Sequence, residues 1–361
     1  MSDYHISAVP VSDDPALAPL WEQIATIQEL NDLAVHGHTD LCDPADVLRK
    51  SYLMQVDNKK VTVVVGERAD GPVVGYGGAS LPIRDNLELA YVGANVHPDH
   101  QHRGLGSRLL AEAERIATAD GRTKLMAWTA HRDEAGEDEA DALLAPTGVG
   151  KLSATDGLVR FAAGHGYALE QTERHSQMPL PVPGDVITPL REQAQAASAG
   201  YRVVTWTGVT PDEYVDSMVG LHTRMSTDVP MGGLEFEEER WDAERVLRLD
   251  RNETELGYLP YQASAQHVES GELVAYTRLL ATDAKPEIAY QDDTLVVSAH
   301  RGHRLGMLVK VANADALSAD RPQIRRVHTW NAGENQWMLA INVAMGFRRA
   351  STEGAWQKKL G

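Results

Sequence analysis

Val96-His97-Pro98-Asp99-His100-Gln101-His102-Arg103-Gly104-Leu105-Gly106-Ser107 has a second version 200 residues further on, Val296-Val297-Ser298-Ala299-His300-Arg301-Gly302-His303-Arg304-Leu305-Gly306-Met307. Each version closes an apolar run, crosses a short polar loop holding a basic residue and glycine, and opens into a periodic stretch. Leu105, Leu109, Leu110, Ala113, Ile116 and Ala117 form one apolar stripe, and Leu305, Leu308, Val309, Ala312 and Ala316 form another. That spacing predicts a helix after each loop, the first stopping near Gly121. A repeat at domain length indicates a duplicated fold, because solenoid repeats recur at only about 20–50 residues. A glycine-containing loop that feeds a helix start is also an anion site, since first-turn N–H groups have no partner within the helix.

Outward from the two loops, the halves run in the same order. In the first, Tyr4–Val9 reads as a strand, 20–35 as a helix, and Val61–Val65, Val73–Ala79 and Leu87–Val96 as strands, with a turn at 69–72. After the loop and its helix come a strand at Leu125–Thr129, a helix at 156–165 and a strand opening at Tyr167. In the second half, Tyr201–Trp206 is a strand and Thr210-Pro211 a helix start. Strands follow at Ala263–Val268, Leu273–Leu280 and Ile288–Val297. After the loop and helix, Arg326–Trp330 is a strand, Glu334–Met345 a helix, and Phe347 opens a last strand. Pro179, Pro181, Pro183, Gly184 and Pro189 mark a break, and the Ala-rich 194–199 suits a short helix. The expected domains are therefore 1–180 and 201–361, joined by a linker at 181–200. The first carries an acidic insertion at 131–151.

Composition limits the function classes. The 361 residues suit about two domains. A formal net charge of −18 argues against a nucleic-acid partner and is compatible with a cationic one. No apolar run approaches the roughly 18 residues of a membrane span, and no basic stretch followed by an apolar one opens the chain, so no membrane or secretory route is expected. The single Cys42 excludes an internal disulfide and any cysteine-based metal cluster. A cytoplasmic monomer or homodimer is expected.

The order strand, helix, three strands, loop and helix, strand, helix, strand resembles the GNAT superfamily of acyl-CoA-dependent N-acyltransferases. That family's loop reads Gln or Arg, two residues, Gly, one residue, Gly or Ala. Gln101-x-x-Gly104-x-Gly106 matches in full. Arg301-x-x-Arg304-x-Gly306 matches except at Arg304, where the family has glycine. Gly166-Tyr167 and Gly346-Phe347 resemble the family's Gly–aromatic pair before its last strand. The resemblance spans nearly the whole chain and implies an α/β fold of two tandem domains, each a mostly antiparallel mixed sheet flanked by helices.

It further implies an acetyltransferase that uses acetyl-CoA as co-substrate and a primary amine of a small molecule or peptide as acceptor, with one or both domains active and no metal. The alternative is a catalytically silent acyl-CoA-binding or scaffold protein. The implied coenzyme contacts are Val96, Gln101, His102, Arg103, Gly104, Leu105, Gly106 and Ser107, and in the second half Val296, Arg301, Gly302, His303, Arg304, Leu305, Gly306 and Met307. Asn331 and Asn335 stand where the family bonds the pantetheine arm, although helix capping is an equally good use of asparagine. The family's carboxylate base on the strand before the loop points to Glu88 and, in Tyr290-Gln291-Asp292-Asp293-Thr294, to Asp292, which keeps the strand parity of Glu88 at an offset of 200. The tyrosine that many members use to protonate the leaving thiolate is replaced by Ala162 and Asn342.

Two other patterns are discounted. Ala145-Pro-Thr-Gly-Val-Gly150-Lys151-Leu152 lacks the final Ser or Thr and the preceding strand of a nucleotide-binding loop. His97, His100 and His102 have metal-ligand residue types, but they lie on the anion loop, where loop polarity explains them.

Overall fold

The computed structural model describes residues 4–68 and 71–360, so the turn at 69–72 lies partly outside the described residues. The first half of the chain forms β1 (His5–Ala8), α1 (Ala18–His36), α2 (Ala45–Leu53), β2 (Asn58–Gly66), β3 (Val73–Pro82) and β4 (Leu89–Val96). It continues with α3 (Leu105–Ala119), β5 (Lys124–His131), a small hairpin of β6 (Leu143–Leu144) and β7 (Lys151–Leu152), α4 (Gly157–Gly164) and β8 (Ala168–Pro179). The second half forms α5 (Gly184–Ala197), β9 (Tyr201–Thr207), α6 (Val215–Asp228), α7 (Ala243–Glu255), β10 (Tyr258–His267), β11 (Leu273–Thr282) and β12 (Ile288–Val296). It ends with α8 (Leu305–Asp320), β13 (Arg326–Ala332), α9 (Gln336–Met345) and β14 (Arg348–Lys359). No helix of the described residues is long and apolar enough to cross a membrane.

The chain divides into two compact units. The first holds residues up to Glu173, Met231–Glu235 and everything from Ser351 onward; the second holds Arg174–Pro230 and Phe236–Ala350. The first unit is therefore completed by the last strand of the chain. Its sheet runs β1-β2-β3-β4-β5-β14 and then the start of β8. β14 pairs antiparallel with the whole length of β5, from Thr352 opposite His131 to Lys359 opposite Lys124. Trp356 of β14 is fully buried there, in the same cluster as Leu81, Leu110, Leu125 and Leu169. The second unit's sheet runs from the end of β8 through β13-β12-β11-β10 to β9.

Each unit contains one parallel pair, β4 with β5 and β12 with β13, and β1-β2-β3-β4, β5-β14 and β9-β10-β11-β12 pair antiparallel. Strand alternation places Ala90, Val92 and Val96 against α3, whose buried face is Leu105, Leu109, Leu110, Ala113 and Ala117. α8 departs from its single expected stripe. Met307, Val311 and Ala314 are buried as well as Leu305, Leu308 and Val309. The cause is α5, a helix in the proline-rich stretch 181–200, which buries Ile187 and Ala194 in the same cluster as α8. With the sheet on one side and α5 on another, α8 also encloses Lys310 and Asn313, at 2% and 1% exposure. Thr210 does not cap a helix. Its N–H and hydroxyl both donate to Asp250 Oδ2 on α7, at 2.9 and 2.7 Å, and a short 3-10 turn at Asp212–Tyr214 leads into α6 instead.

Candidate active sites

In each unit a parallel strand pair parts company above the glycine loop. β4 and β5 pair at Leu89–Lys124, Ala90–Leu125 and Tyr91–Met126, and their ladder ends there. Both strands continue, β4 to Val96 alongside β3 and β5 to His131 alongside β14. β12 and β13 repeat this, pairing only at Ile288–Arg326, Ala289–Val327 and Tyr290–His328, while β12 stays paired with β11 up to Val296. Two strands held in a sheet by their outer neighbours, but no longer by each other, leave a wedge whose edges carry unpaired peptide groups.

The loops at the two wedges share one backbone. Left-handed residues occur at His102 (φ 58) and Gly104 (φ 77), and at Gly302 (φ 89) and Arg304 (φ 53). Each loop thus spends one glycine and one other residue on the two demanding positions, in opposite order. Arg304 keeps the backbone of Gly104, and its side chain turns outward to Gln193 Oε1 on α5, at 2.9 Å. The family's Gln-or-Arg position is a brace in both units. Gln101 Nε2 donates to Val96 O and Arg301 Nε to Val296 O, each at 3.2 Å. The same side chains reach an earlier helix, Gln101 to Asn31 of α1 at 3.4 Å and Arg301 to Asp228 of α6 at 3.7 Å.

The outcome is a pair of open helix starts. Among the described residues, no protein acceptor meets the backbone N–H groups of residues 102–107 or 302–307. Those groups are the donors that an anion takes up at a helix N-terminus. Gly104 faces open space, whereas a Cβ on Gly106 would touch Phe161 of α4 at 3.3 Å, and one on Gly306 would touch Ile341 of α9 at 3.1 Å. The second glycine of each loop therefore admits a neighbouring helix. Leu105 and Leu305 anchor the helix starts in the core, each at 1% exposure.

The other loop side chains are held locally. Arg103 donates to Asp99 O at 2.9 Å and to the Tyr4 hydroxyl at 3.2 Å. Ser107 Oγ lies 3.0 Å from His165 Nε2. Met307 is buried, and His303 packs on Tyr201 with ring centroids 5.3 Å apart. His97 accepts from Asp99 N at 3.2 Å, and His100 lies 5.7 Å from it, ring to ring. The near-match to a nucleotide loop at 145–152 forms the turn of the β6–β7 hairpin, and its Lys151 opens the strand β7 where a nucleotide loop would open a helix.

At the far edge of the second wedge, Asn335 Oδ1 caps α9 by accepting from Met338 N at 3.2 Å. Asn331 Oδ1 accepts from Asn342 Nδ2 at 2.7 Å. Asn342 stands where the family's tyrosine is expected; its own Oδ1 is buried without a partner. In the first unit, His131 occupies the place of Asn331 and ties β5 to the α4 cap, Nδ1 to Asp156 at 3.3 Å. Burial holds its imidazole below the usual histidine range, against the pull of Asp156.

The two carboxylates singled out in the sequence do not occupy equivalent places. Glu88 precedes β4 rather than lying on it, is exposed, and pairs with Lys124 at 3.3 Å at the closed end of the wedge. Its carbonyl accepts from Thr123 N and Lys124 N; the carbonyl of Glu287 accepts from Arg325 N and Arg326 N in the same way. Glu287 is therefore the structural counterpart of Glu88. The shift of one from the constant offset arises because β12 bulges. Thr277 faces Thr294 but Leu279 faces Gln291, so Asp292 and Asp293 together oppose Arg278. β4 has no such step between Gly75–Val96 and Ser80–Tyr91.

A bulge turns two successive side chains to one face. Asp292 pairs with Arg278 at 2.9 Å, and Asp293 accepts from the Tyr276 hydroxyl at 2.9 Å. Arg278, 1% exposed, also pairs with Glu253 and with Asp250 at 3.3 Å. Three carboxylates thus pair with this one guanidinium. Burial pushes Glu253 up to about 7 and raises Asp293, in both cases beyond what Arg278 restores. Burial also opposes the charge of Arg278, but Glu253, Asp292 and Asp250 outweigh it and hold the guanidinium above its ordinary range. Trp241 and Tyr276 flank His222, with ring centroids 4.3 and 5.3 Å away. Burial, then Arg278 and Arg245, pull His222 down to about 3, so it is neutral. Sequence reasoning missed the bulge; its trace is the Asp292-Asp293 doublet in an otherwise alternating strand.

Comparison with known proteins agrees with this architecture. Residues 26–137 match the model of the Acetyltransferase (GNAT) family. A tandem GNAT protein from the clavulanic acid biosynthesis pathway, solved without AcCoA, is 26% identical, with 99% of each chain covered and a TM-score of 0.75. A GCN5-related N-acetyltransferase from Sphaerobacter thermophilus (16% identity, 99% of this chain and 95% of that one, TM-score 0.63) shares the fold. So does the N-myristoyltransferase of Saccharomyces cerevisiae (11% identity, 99% and 80%, TM-score 0.58). No curated protein sequence matches the chain. The chain thus carries a GNAT acetyltransferase domain pattern in its first half and, over its whole length, the fold of a tandem GNAT protein.

Proposed function

We propose that the protein transfers an acetyl group from acetyl-CoA to a primary amine, and that the second unit performs the chemistry. The observation that carries this reading is the β12 bulge, which sets Asp292 and Asp293 beside a strand wedge that opens toward an unfilled helix start. The first unit offers Gly93 in the place of Asp293, and its one sequence candidate, Glu88, sits at the closed end of its wedge.

The coenzyme supplies an activated thioester. Its diphosphate suits the free amides of residues 302–307, and those of 102–107 in the first unit, each helix start adding about 0.3–1 kcal/mol for a nearby anion. The guanidinium of Arg301 and the loop residues Gly302 and His303 border one site; Gln101, His102 and Arg103 border the other. Asn331 and Asn335 line the far edge of the second wedge, where the pantetheine arm passes. On the acceptor side, Asp292 attracts the ammonium ion and Asp293 takes its proton. A carboxylate raised toward neutrality is matched to that task. The neutral amine then attacks the carbonyl carbon, and a bulge amide freed from the ladder stabilises the oxyanion until the C–S bond breaks; the thiolate takes up the second nitrogen proton by way of solvent and leaves as the thiol. Holding both reactants in one wedge contributes about 7–11 kcal/mol by removing a bimolecular encounter.

Acetyl-CoA turnover with a panel of primary amines, read as thiol release, tests the reading. Turnover that depends on Asp293 supports it. Calorimetric binding of CoA with no turnover for any amine supports the silent acyl-CoA-binding alternative instead.

A further inference from the structure

The two units differ in one coordinated respect. β12 bulges and β4 runs straight. A bulge takes carbonyl groups out of the ladder, and buried carbonyls need donors. Gln291, 7% exposed, stands at the start of the bulge and supplies them. Its Nε2 donates to Arg278 O at 2.6 Å and to Thr277 Oγ1 at 3.0 Å, and lies 3.4 Å from Asp293 O. Its Oε1 is fixed in turn by Lys310 Nζ of α8, at 2.9 Å.

Lys310 is an unusual residue for this place. It is 2% exposed, and among the described residues no carboxylate pairs with it. Apart from Gln291, its ammonium group meets only the Phe347 ring, at 5.6 Å. A buried lysine without a counter-ion lowers stability and needs a reason. The first unit supplies the comparison. Val92 faces Ala79 as Gln291 faces Leu279, and Leu110 stands on α3 where Lys310 stands on α8. Where the strand is straight, both positions are apolar; where it bulges, both are polar and bonded to each other.

We propose that Lys310 and Gln291 form a strut that holds the β12 bulge open, making Lys310 a positioning residue for acyl transfer in the second unit. It never touches substrate; it fixes the direction of the bulge amide and of Asp293 through the amide group of Gln291. The inference rests on the reading of the second unit as the catalytic one.

The test compares the full-length protein with Lys310→Met and Gln291→Leu, and with Leu110→Met as the matched change in the first unit. The expected result is a kcat lower by roughly 10- to 100-fold in the first two variants, as for a displaced catalytic group, with KM for acetyl-CoA within about twofold. Amide hydrogen exchange over 291–295 is expected to be faster in both, and Leu110→Met to leave kcat and exchange unchanged. An unchanged kcat in Lys310→Met overturns the inference, as does unchanged exchange over the bulge. If the unmodified protein acetylates no amine, the functional reading fails, and exchange alone still decides the strut: unchanged exchange in Lys310→Met sinks it, and faster exchange sustains it.

Discussion

The hydroxyl of Tyr276 donates to Asp293 at 2.9 Å because the bulge in β12 turns two successive aspartates to the side of the sheet facing α6 and α7. Tyr76 holds the matching place on β3 and is likewise buried enough to be raised well above the tyrosine range. The residue that matches Asp293 there is Gly93, so the first unit has the phenol without the acid. Replacing Asp293 by Asn is expected to lower kcat by about 100-fold or more. Steady-state thiol release measures it; a loss below tenfold would assign the proton to another group.

The same contact sets a pH dependence. Burial raises the Asp293 carboxyl and the Tyr276 hydrogen bond lowers it. A base must be ionised to act, so kcat/KM rises with pH through an acid limb lying above the ordinary carboxylate range. Tyr276→Phe removes a stabilising bond to the anion, and the limb moves to higher pH. A limb that stays put, or moves down, contradicts this assignment.

Arg278 neutralises a buried group of acids. Arg278→Leu leaves Asp250, Glu253 and Asp292 uncompensated and is expected to cost about 3–5 kcal/mol at neutral pH. Without the guanidinium the Glu253 carboxyl, already raised by burial, is raised further when folded, so the folded chain holds more protons than the unfolded one and stability falls as pH rises. Urea denaturation should show the deficit shrinking from pH 7.5 to pH 5.

Lys310 titrates the other way. Burial brings it down to about 7 from 10.5. Between those values the unfolded chain binds the extra proton and stability climbs with pH; below about 7 both states are protonated and the full cost, about 5 kcal/mol, is present. Facing the group are the Gln291 amide and the Phe347 ring, neither of which titrates. Lys310→Met should therefore gain stability, most of all at pH 6, while losing kcat. A variant both less stable and slower at pH 6 would point to simple disruption.

Arg304 pays for its left-handed backbone. Arg304→Gly is expected to stabilise the chain by about 1 kcal/mol, less the exposed bond to Gln193, which contributes little. Gly104→Val, which places a branched side chain at φ 77, should destabilise it by more than that. Paired thermal melts decide both signs.

Much of this was legible in the chain. The repeat at 96–107 and 296–307 located both helix starts, because a glycine loop after an apolar run is a local signal. The stripe on α3 was equally local. Three features were not. The bulge at Asp292-Asp293 shifts the register by one, and a constant offset of 200 hides a single extra residue: it sets Glu88 against Ile288, where the structural counterpart is Glu287. α5 lies in a stretch whose prolines suggest a break, yet Ile187 and Ala194 earn it a place on α8, a tertiary contact that propensity does not report. The strand order is the third, since nothing near Phe347 states which sheet the following residues will join.

That strand has a consequence for synthesis. When residue 173 leaves the ribosome, the edge of β5 from Lys124 to His131 still lacks its neighbour, and about 180 residues remain to be made. At about 5–20 residues per second, that edge waits roughly 10–40 s for β14. A nascent chain in this condition carries a bare strand edge, the kind of surface that recruits chaperones or other copies of itself. Expressing residues 1–180 alone would make the wait permanent.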